Sequence, residues 1–313
     1  MLANKSSLLY SGISAIAGRA CGDPSMSAFL GTFLVRHLAA ASAATHADYH
    51  RTVGYFRRFL GRPSHLSDLT DANLLAFCRW RLDQHLSPAT VRGDFIRLVG
   101  LWKWAAQHHF IEEYPDVRCP CKAPKRAPTA WSPQQFSRLL AATDTMRRSI
   151  CGIPTSKWWR TFCLVARDSG LRKMALLNLA WSDLDWETLT ILARAEHSKT
   201  GQDMQVGLSP DAIAALLVIQ KPERRLIFPY DKRLDTSFYW QWNRVLKAAG
   251  LPSGRRDKTH KMRRTSATWV AQLGGLEAAR AHLGHASAAM TLAHYVDQSQ
   301  MPATNWAARF PRP

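Results

Sequence analysis

Residues 254–264 read GRRDKTHKMRR. Six of these eleven side chains are Lys or Arg, and only Asp257 is acidic. A basic run of this kind ordinarily marks a solvated face or a phosphate patch. This one also holds His260 and Arg263, three residues apart. On a helix, i and i+3 share a face, so one turn can aim an imidazole and a guanidinium at a single target. Phosphate suits the pair: Arg offers a planar, permanently charged fork, and His exchanges a proton near neutral pH.

Four further polar residues stand in apolar or turn contexts on either side of the run. Arg172 follows the Ser169-Gly170-Leu171 turn and opens a predicted helix. Lys199 sits in the turn Lys199-Thr200-Gly201-Gln202, between the β-rich stretches Thr188–Leu192 and Met204–Leu208. These stretches predict a small hairpin or sheet inside a helical domain. His285 lies in Leu283-Gly284-His285, and Tyr295 follows ten residues later. Singly, each has a structural explanation: a surface arginine, a turn lysine, a satisfied histidine at a helix end, a core tyrosine. Their order and context give them a joint meaning.

The rest of the chain fits a polyanion partner. Its 313 residues carry 42 Lys and Arg against 23 Asp and Glu, a net charge of +19. The excess is spread along the chain, +7 over residues 1–130 and +12 over residues 131–313. Both halves are therefore expected to touch the same long anion. The composition, 46% hydrophobic and 21% charged, is that of a globular protein. No apolar run reaches the roughly 18 residues of a membrane span; Met26 to Val35 stops at Arg36 and His37. Ser11, Gly12, Ser14 and Arg19 argue against a signal peptide in the first twenty residues. Six cysteines do not make a disulfide scaffold, and Cys119-Pro120-Cys121 lacks the second ligand pair that zinc needs. No metal site and no cofactor is expected, and reducing cytoplasm is the expected compartment.

Along the chain, Tyr49, Val53, Phe56 and Leu60 follow helical spacing, and Gly61-Arg62-Pro63 ends that helix. Thr70 caps the next helix, and Ser87-Pro88 starts another with the stripe Val91, Phe95, Leu98, Val99 and Trp102. Arg92, Arg97 and Lys103 lie off that stripe and read as solvated. Five prolines between Pro115 and Pro133, with Lys122, Lys125 and Arg126 among them, mark a basic linker. Beyond it Ser132-Pro133 caps a helix, followed by helices through Phe162, Leu164 and Val165 and through Met174, Leu176 and Leu177.

Three boxes then stand in order: Ser169-Gly170-Leu171-Arg172, His260-Lys261-Met262-Arg263-Arg264-Thr265, and Leu283-Gly284-His285 running on to Thr291 and Tyr295. Together with Lys199-Thr200-Gly201 they resemble the tyrosine recombinase, or phage integrase, family. The resemblance covers nearly the whole chain, including Ser87-Pro88-Ala89-Thr90-Val91 in the first half. It implies a mainly α fold with a small antiparallel β-sheet: an N-terminal extension (1–24), a helical core-binding domain (25–115), a Pro-rich basic linker (116–130), and a mixed α/β catalytic domain (131–313). It implies a site-specific DNA recombinase acting through a covalent 3′-phosphotyrosine and a Holliday junction, without metal or ATP. By the same resemblance Tyr295 is the nucleophile, and Arg172 and Arg263 clamp the non-bridging oxygens. His260 and His285 hydrogen-bond the phosphate and assist proton transfer, and Lys199 protonates the departing 5′-oxygen. Double-stranded DNA is the implied partner of a homotetramer on two sites, monomeric or dimeric off DNA, in the cytoplasm at the nucleoid. Trp306 and Phe310 in the tail are plausible anchors on a neighbouring protomer.

The bottom-up chemistry agrees. Phosphoryl transfer needs positive charge where negative charge grows, and two arginines with a lysine supply it. A phenol with pKa near 10 needs neighbouring cations or a base to attack. The sequence departs from the family where an acid is common three residues after the first arginine, at Ala175, and where Asp often follows the histidine, at Lys261. Two other readings stand beside the recombinase. One is a type IB topoisomerase with the same constellation. The other is a DNA-binding relative without catalysis, for which Ala175 is the support.

Overall fold

The computed structural model describes residues 23–122, 126–197, 201–221, 223–230 and 235–302. The chain divides into two compact units, residues 1–125 and 126–313. Lys199, Cys21, Trp306 and Phe310 lie outside the described residues. Among the described residues no helix is long and apolar enough to cross a membrane.

Among the described residues the first unit is built from four α-helices: α1 (Met26–His37), α2 (Ala43–Leu60), α3 (Asp71–Asp83) and α4 (Pro88–Gln107). Each start is set by a hydroxyl cap. Ser25, Ser42, Thr70 and Ser87 accept the N–H of Ala28, Thr45, Asn73 and Thr90, which satisfies one orphan donor at each N-terminus. Gly61, in the left-handed conformation at φ +68°, stops α2. The apolar stripes meet in a core that includes Phe33, Phe56, Phe77, Val91, Phe95 and Trp102. The apolar run Met26 to Val35 lies in α1, which gives Met26, Phe29, Leu30, Phe33 and Leu34 to that core while Val35 faces outward. Part of the Pro-rich strap belongs to this unit as well, since Val117, Cys119 and Cys121 pack on the same core.

A charge network runs through the unit's interior. The buried Arg81 donates to Asp94 at 2.9 and 3.1 Å, and Thr52 donates to the same carboxylate at 3.2 Å. Arg97 reaches Asp94 at 3.3 Å and Asp48 at 2.9 Å, which joins α2 to α4. The solvated reading of Arg97 is therefore corrected: its charge is already matched by two carboxylates. Arg92 and Lys103 are exposed, as are Arg57, Arg58 and Arg79.

The second unit is organised around α6 (Thr155–Ser169), which is buried along most of its length and packs on α5 (Pro133–Thr143). A tiny antiparallel hairpin, β1 (Ser149–Ile150) and β2 (Ile153–Pro154), leads into α6. It leaves no mark on the sequence, because two-residue strands show no period. The aromatic side chains Trp158, Trp159, Phe162, Phe228, Phe238 and Trp242 interlock by edge and face contacts. After α6 come α7 (Lys173–Asn178) and the antiparallel sheet β3 (Leu184–Asp185), β4 (Thr190–Ala193) and β5 (Met204–Gly207). The β4–β5 register pairs Ile191 with Val206, which puts both on the buried face. Four more helices complete the unit: α8 (Pro210–Ile219), α9 (Asp235–Ala248), α10 (His260–His282) and α11 (Ala288–His294). α10 is broken at Gly275, where φ is +80° and the helix cannot continue.

Candidate active site

Three turns bring the boxes together. The first follows α6. Gly170 ends that helix at φ +60°, and a Cβ there would meet Leu283 Cδ2 at 2.9 Å. Only glycine fits both the conformation and the space. The chain then extends through Leu171 to Arg172, the N-cap of α7. Asp168 fixes the approach to this turn by accepting from Ser209 N and Oγ at 2.8 and 2.6 Å and from Arg167 at 2.6 Å. Arg172 itself is half-buried.

The second element is the first turn of α10. Within the run quoted above, the spacing separates two environments. Arg263 is 2% exposed, whereas His260 keeps an exposed edge. Arg263 Nη1 donates to Gly170 O at 2.7 Å, and Nη2 donates to Leu283 O at 2.8 Å. Nη2 also donates to His285 Nε2 at 3.0 Å. The guanidinium therefore staples the first box to the third through main-chain carbonyls. Its Nε is buried and has no partner.

The other members of this box are structural. Lys261, where an acid is common in the family, is buried. Its ammonium donates to Asp257 at 3.0 Å and lies 3.5 Å from the centre of the Trp131 ring. Thr265 Oγ1 donates to Lys261 O and accepts the Trp131 N–H at 2.9 Å, which ties the start of the unit to α10.

The third element carries His285 and Tyr295. Gly284, at φ +62°, reverses the chain after α10, and Arg280 holds His285 O at 3.0 Å. Tyr295 is the C-cap of α11 and is half-buried. The next residues are pinned. Asp297 N donates to Thr268 Oγ1, and the Asp297 carboxylate accepts Ala130 N at 2.9 Å. Burial would raise the Asp297 pKa, yet hydrogen bonds from Ser299, Ala130 and Gln300 hold it below the usual carboxylate value.

Around the phenol the geometry converges. The Tyr295 ring centre lies 4.5 Å from that of His285 and 5.3 Å from that of His260, and 5.4 Å from Arg263 Cζ. Arg172 is close enough to act electrostatically on His260, Arg263 and His285. Burial, then Arg263, Arg172 and His260, push His285 down to about 4. Desolvation in the concave site, then Arg264, Arg263 and Arg172, push His260 down to about 4. Burial and the neighbouring Arg172 lower Arg263 to about 10, so it stays charged at neutral pH while Tyr295 opposes the shift. Both histidines are therefore neutral at pH 7, in a site whose fixed charge is positive.

Five of the six residues singled out from sequence meet here: Arg172, His260, Arg263, His285 and Tyr295. The sixth, Lys199, falls outside the described residues, in the connection between β4 and β5. A cavity of about 230 Å³ opens beside Arg172 and Arg263 and is also lined by Ala175, His197 and Asp203. Ala175, at the position of the missing acid, thus leaves space rather than a carboxylate.

The sequence reasoning overlooked Arg264. It is half-buried, its Nε is buried without a partner, and no carboxylate pairs with it among the described residues. Burial and Arg256 lower its pKa, and Tyr295 opposes this. The signal was available: Arg264 stands four residues after His260, on the same helical face. Among the described residues no group of three or more His, Cys, Asp or Glu could hold a metal ion.

Comparison with known proteins accords with this geometry. The sequence matches the phage integrase family over residues 131–301. A solved integrase of the transposon Tn1549, in complex with transposon right-end DNA, superposes with a TM-score of 0.72 at 17% identity, covering 91% of this chain and 98% of that one. A lambda integrase dimer bound to a COC′ core site gives 0.69 at 19% identity, covering 90% and 80%. The XerH site-specific recombinase, bound to a palindromic difH substrate after cleavage, gives 0.64 at 18%, covering 88% and 81%. A search of curated protein sequences returns no match. At these identities the structural likenesses speak for the fold, and the family match spans more than half of the chain. The protein belongs to the phage integrase family and is a tyrosine-type site-specific DNA recombinase.

Proposed function

We propose that Tyr295 is the nucleophile of this recombinase and that Arg172, Lys199, His260, Arg263 and His285 serve the phosphate it attacks. The observation that carries the reading is the clustering of two neutral imidazoles and a buried guanidinium within 5.4 Å of the Tyr295 ring. In the proposed step Tyr295 Oη bonds to phosphorus and the bond from phosphorus to the 5′-oxygen breaks. The phenol proton passes to a neutral histidine, and the 5′-oxygen takes a proton from Lys199. Arg172 and Arg263 hold the non-bridging oxygens as their charge grows in the transition state. The phosphotyrosine retains the bond energy, so a second strand's 5′-hydroxyl can reverse the step without ATP. Strand exchange through a Holliday junction in a homotetramer on two duplex sites is the assembly we infer, acting in the cytoplasm at the nucleoid. The net charge of +19 supplies sequence-independent affinity for duplex DNA and a steep salt dependence.

The test is covalent trapping. Wild type and Tyr295→Phe are incubated in EDTA with nicked suicide duplexes taken from sequences flanking the gene. A denaturation-resistant adduct in wild type, absent from Tyr295→Phe, is the expected result. Tight DNA binding with no adduct on any duplex would instead make this a binding protein. Relaxation of a supercoiled plasmid lacking any target would favour a topoisomerase.

A further inference from the structure

Thr291 takes no part in the step just described, yet it sits at the centre of the site's hydrogen bonding. It is fully buried on α11, one turn before Tyr295. Its hydroxyl donates to Ser287 O at 3.2 Å. That proton is therefore committed, and Oγ1 faces its other neighbour as an acceptor. The neighbour is His285 Nδ1 at 2.9 Å, which must then be the protonated nitrogen. On the far side of the ring His285 Nε2 meets Arg263 Nη2 at 3.0 Å, and a guanidinium only donates. The contacts at the two nitrogens agree on the same tautomer.

We propose that Thr291 is a positioning residue that locks His285 in its Nδ1–H tautomer in the free protein, so that Nε2 accepts from Arg263 and holds it beside Tyr295. The inference rests on the reading of Tyr295, Arg263 and His285 given above. The wire runs from Ser287 O through Thr291 and His285 to the Arg263 guanidinium. The main chain of Thr291 adds a second tie, because its carbonyl accepts the N–H of Tyr295 at 2.9 Å and of Val296 at 3.2 Å. One residue thus couples the orientation of the clamp to that of the nucleophile. The opposite tautomer would set an Nε2–H against the Nη2–H of Arg263, two donors with nothing between them. The groups facing the imidazole are Arg263 and His260 from α10, Arg172 from the N-cap of α7 and Tyr295 from the C-cap of α11. All are cations, a neutral ring or a phenol, and none offers a carboxylate that would favour an imidazolium.

Thr291→Val keeps the shape and deletes the acceptor, and Thr291→Ser keeps the acceptor. Two measurements on the full chain read the result. The first is a two-bond ¹H–¹⁵N spectrum of histidine-labelled protein at neutral pH without DNA, assigned with His285→Gln. It is expected to show Nδ1 protonated and Nε2 bare in wild type and Thr291→Ser, and loss of that pattern in Thr291→Val. The second is the adduct-formation rate on the suicide duplex across pH. About a 10- to 100-fold loss is expected in Thr291→Val, by analogy with the loss when the hydrogen-bond partner that fixes a metal-bound histidine's tautomer is removed. Thr291→Ser should recover most of it with an unchanged profile. An Nε2–H tautomer in wild type overturns the proposal, as does a Thr291→Val variant with wild-type rate and profile. Should Thr291→Val fail to fold, the wild-type spectrum and the serine variant still decide. A wild type with the stated tautomer but no adduct on any duplex would refute the catalytic reading and leave the tautomer lock standing.

Discussion

Both units bury arginine, and they do so in opposite ways. In the first, Arg81 is closed on Asp94 at 2.9 Å and stacks 3.8 Å from the centre of the Tyr55 ring, while Arg97 takes the remaining oxygens of Asp94 and Asp48. In the second, Arg263 is as buried as Arg81, but its acceptors are two carbonyls and an imidazole. Arg264 beside it has no carboxylate among the described residues. Desolvating a cation is costly unless an anion accompanies it. The first arrangement meets that condition within the chain. The second leaves it to be met by something that arrives with negative charge. Burial alone does not distinguish the two arginines; the presence or absence of a carboxylate partner does.

The comparison breaks most directly at Arg263 and Asp94. Arg263→Ala removes the positive charge beside the Tyr295 ring and, on the roles proposed above, should cost about 10²- to 10³-fold in adduct formation, the range seen when one transition-state donor is deleted. The second unit's melting temperature should move far less than that activity loss suggests, because the deletion also removes an uncompensated buried charge. Asp94→Ala should do the reverse. It strands Arg81, and removing one partner of a buried pair costs about 3–5 kcal/mol. Denaturant unfolding of the first unit should show that loss, while single-turnover cleavage at saturating DNA and low temperature stays near wild type. Equal activity loss in the two variants would mean that the buried cations are not divided in this way.

Much of this is legible in the sequence. Three of the four first-unit helices follow from the spacing of Tyr49, Val53, Phe56 and Leu60, the cap at Thr70, and the Ser87 start with its stripe Val91–Phe95–Leu98–Trp102, where local chemistry and burial agree. The site boxes were legible because turn glycines at 170 and 284 and the three-residue spacing of His260 and Arg263 leave a mark on sequence. What stayed hidden depends on distant partners. Arg97 read as solvated because Asp48, on another helix, lies 49 residues away. Lys261 looked like part of the phosphate patch, and only the fold places Trp131 and Asp257 around it. Thr291 reads as an ordinary buried helix residue until His285 is seen to rest on it.

Arg264 is the sharper and smaller test. Arg264→Gln keeps length and polarity and removes one cation from the face that carries His260. Loss of a single half-buried positive charge near the phenol should slow adduct formation by about 10-fold, or ~1.4 kcal/mol. It should also stabilise the free protein slightly, since an unpaired cation is lost where it repels Arg256. A fall in both would place Arg264 with the structural arginines of the first unit.

The same variant gives a pH signature that carries the comparison to the histidines. His260 and His285 are driven down to about 4, and His282 also lies below its ordinary value through burial and Arg263. In the unfolded chain a histidine titrates near 6.5. Between pH 6.5 and 4 the unfolded state therefore binds protons that the native site refuses, so stability falls as pH falls through that window. The second unit's midpoint should drop accordingly between pH 7 and 5. After burial, Arg264 is the cation that acts most strongly on His260. Arg264→Gln should move the His260 ring titration, followed by NMR, upward from about 4 and shrink the acid-side loss of stability. Bound duplex DNA should have the same sign of effect and a larger one, because its phosphates offset Arg172, Arg263 and Arg264 together. If neither the substitution nor the duplex moves His260, burial alone sets its proton affinity, and the cations of the second unit are matched by something other than an incoming phosphate.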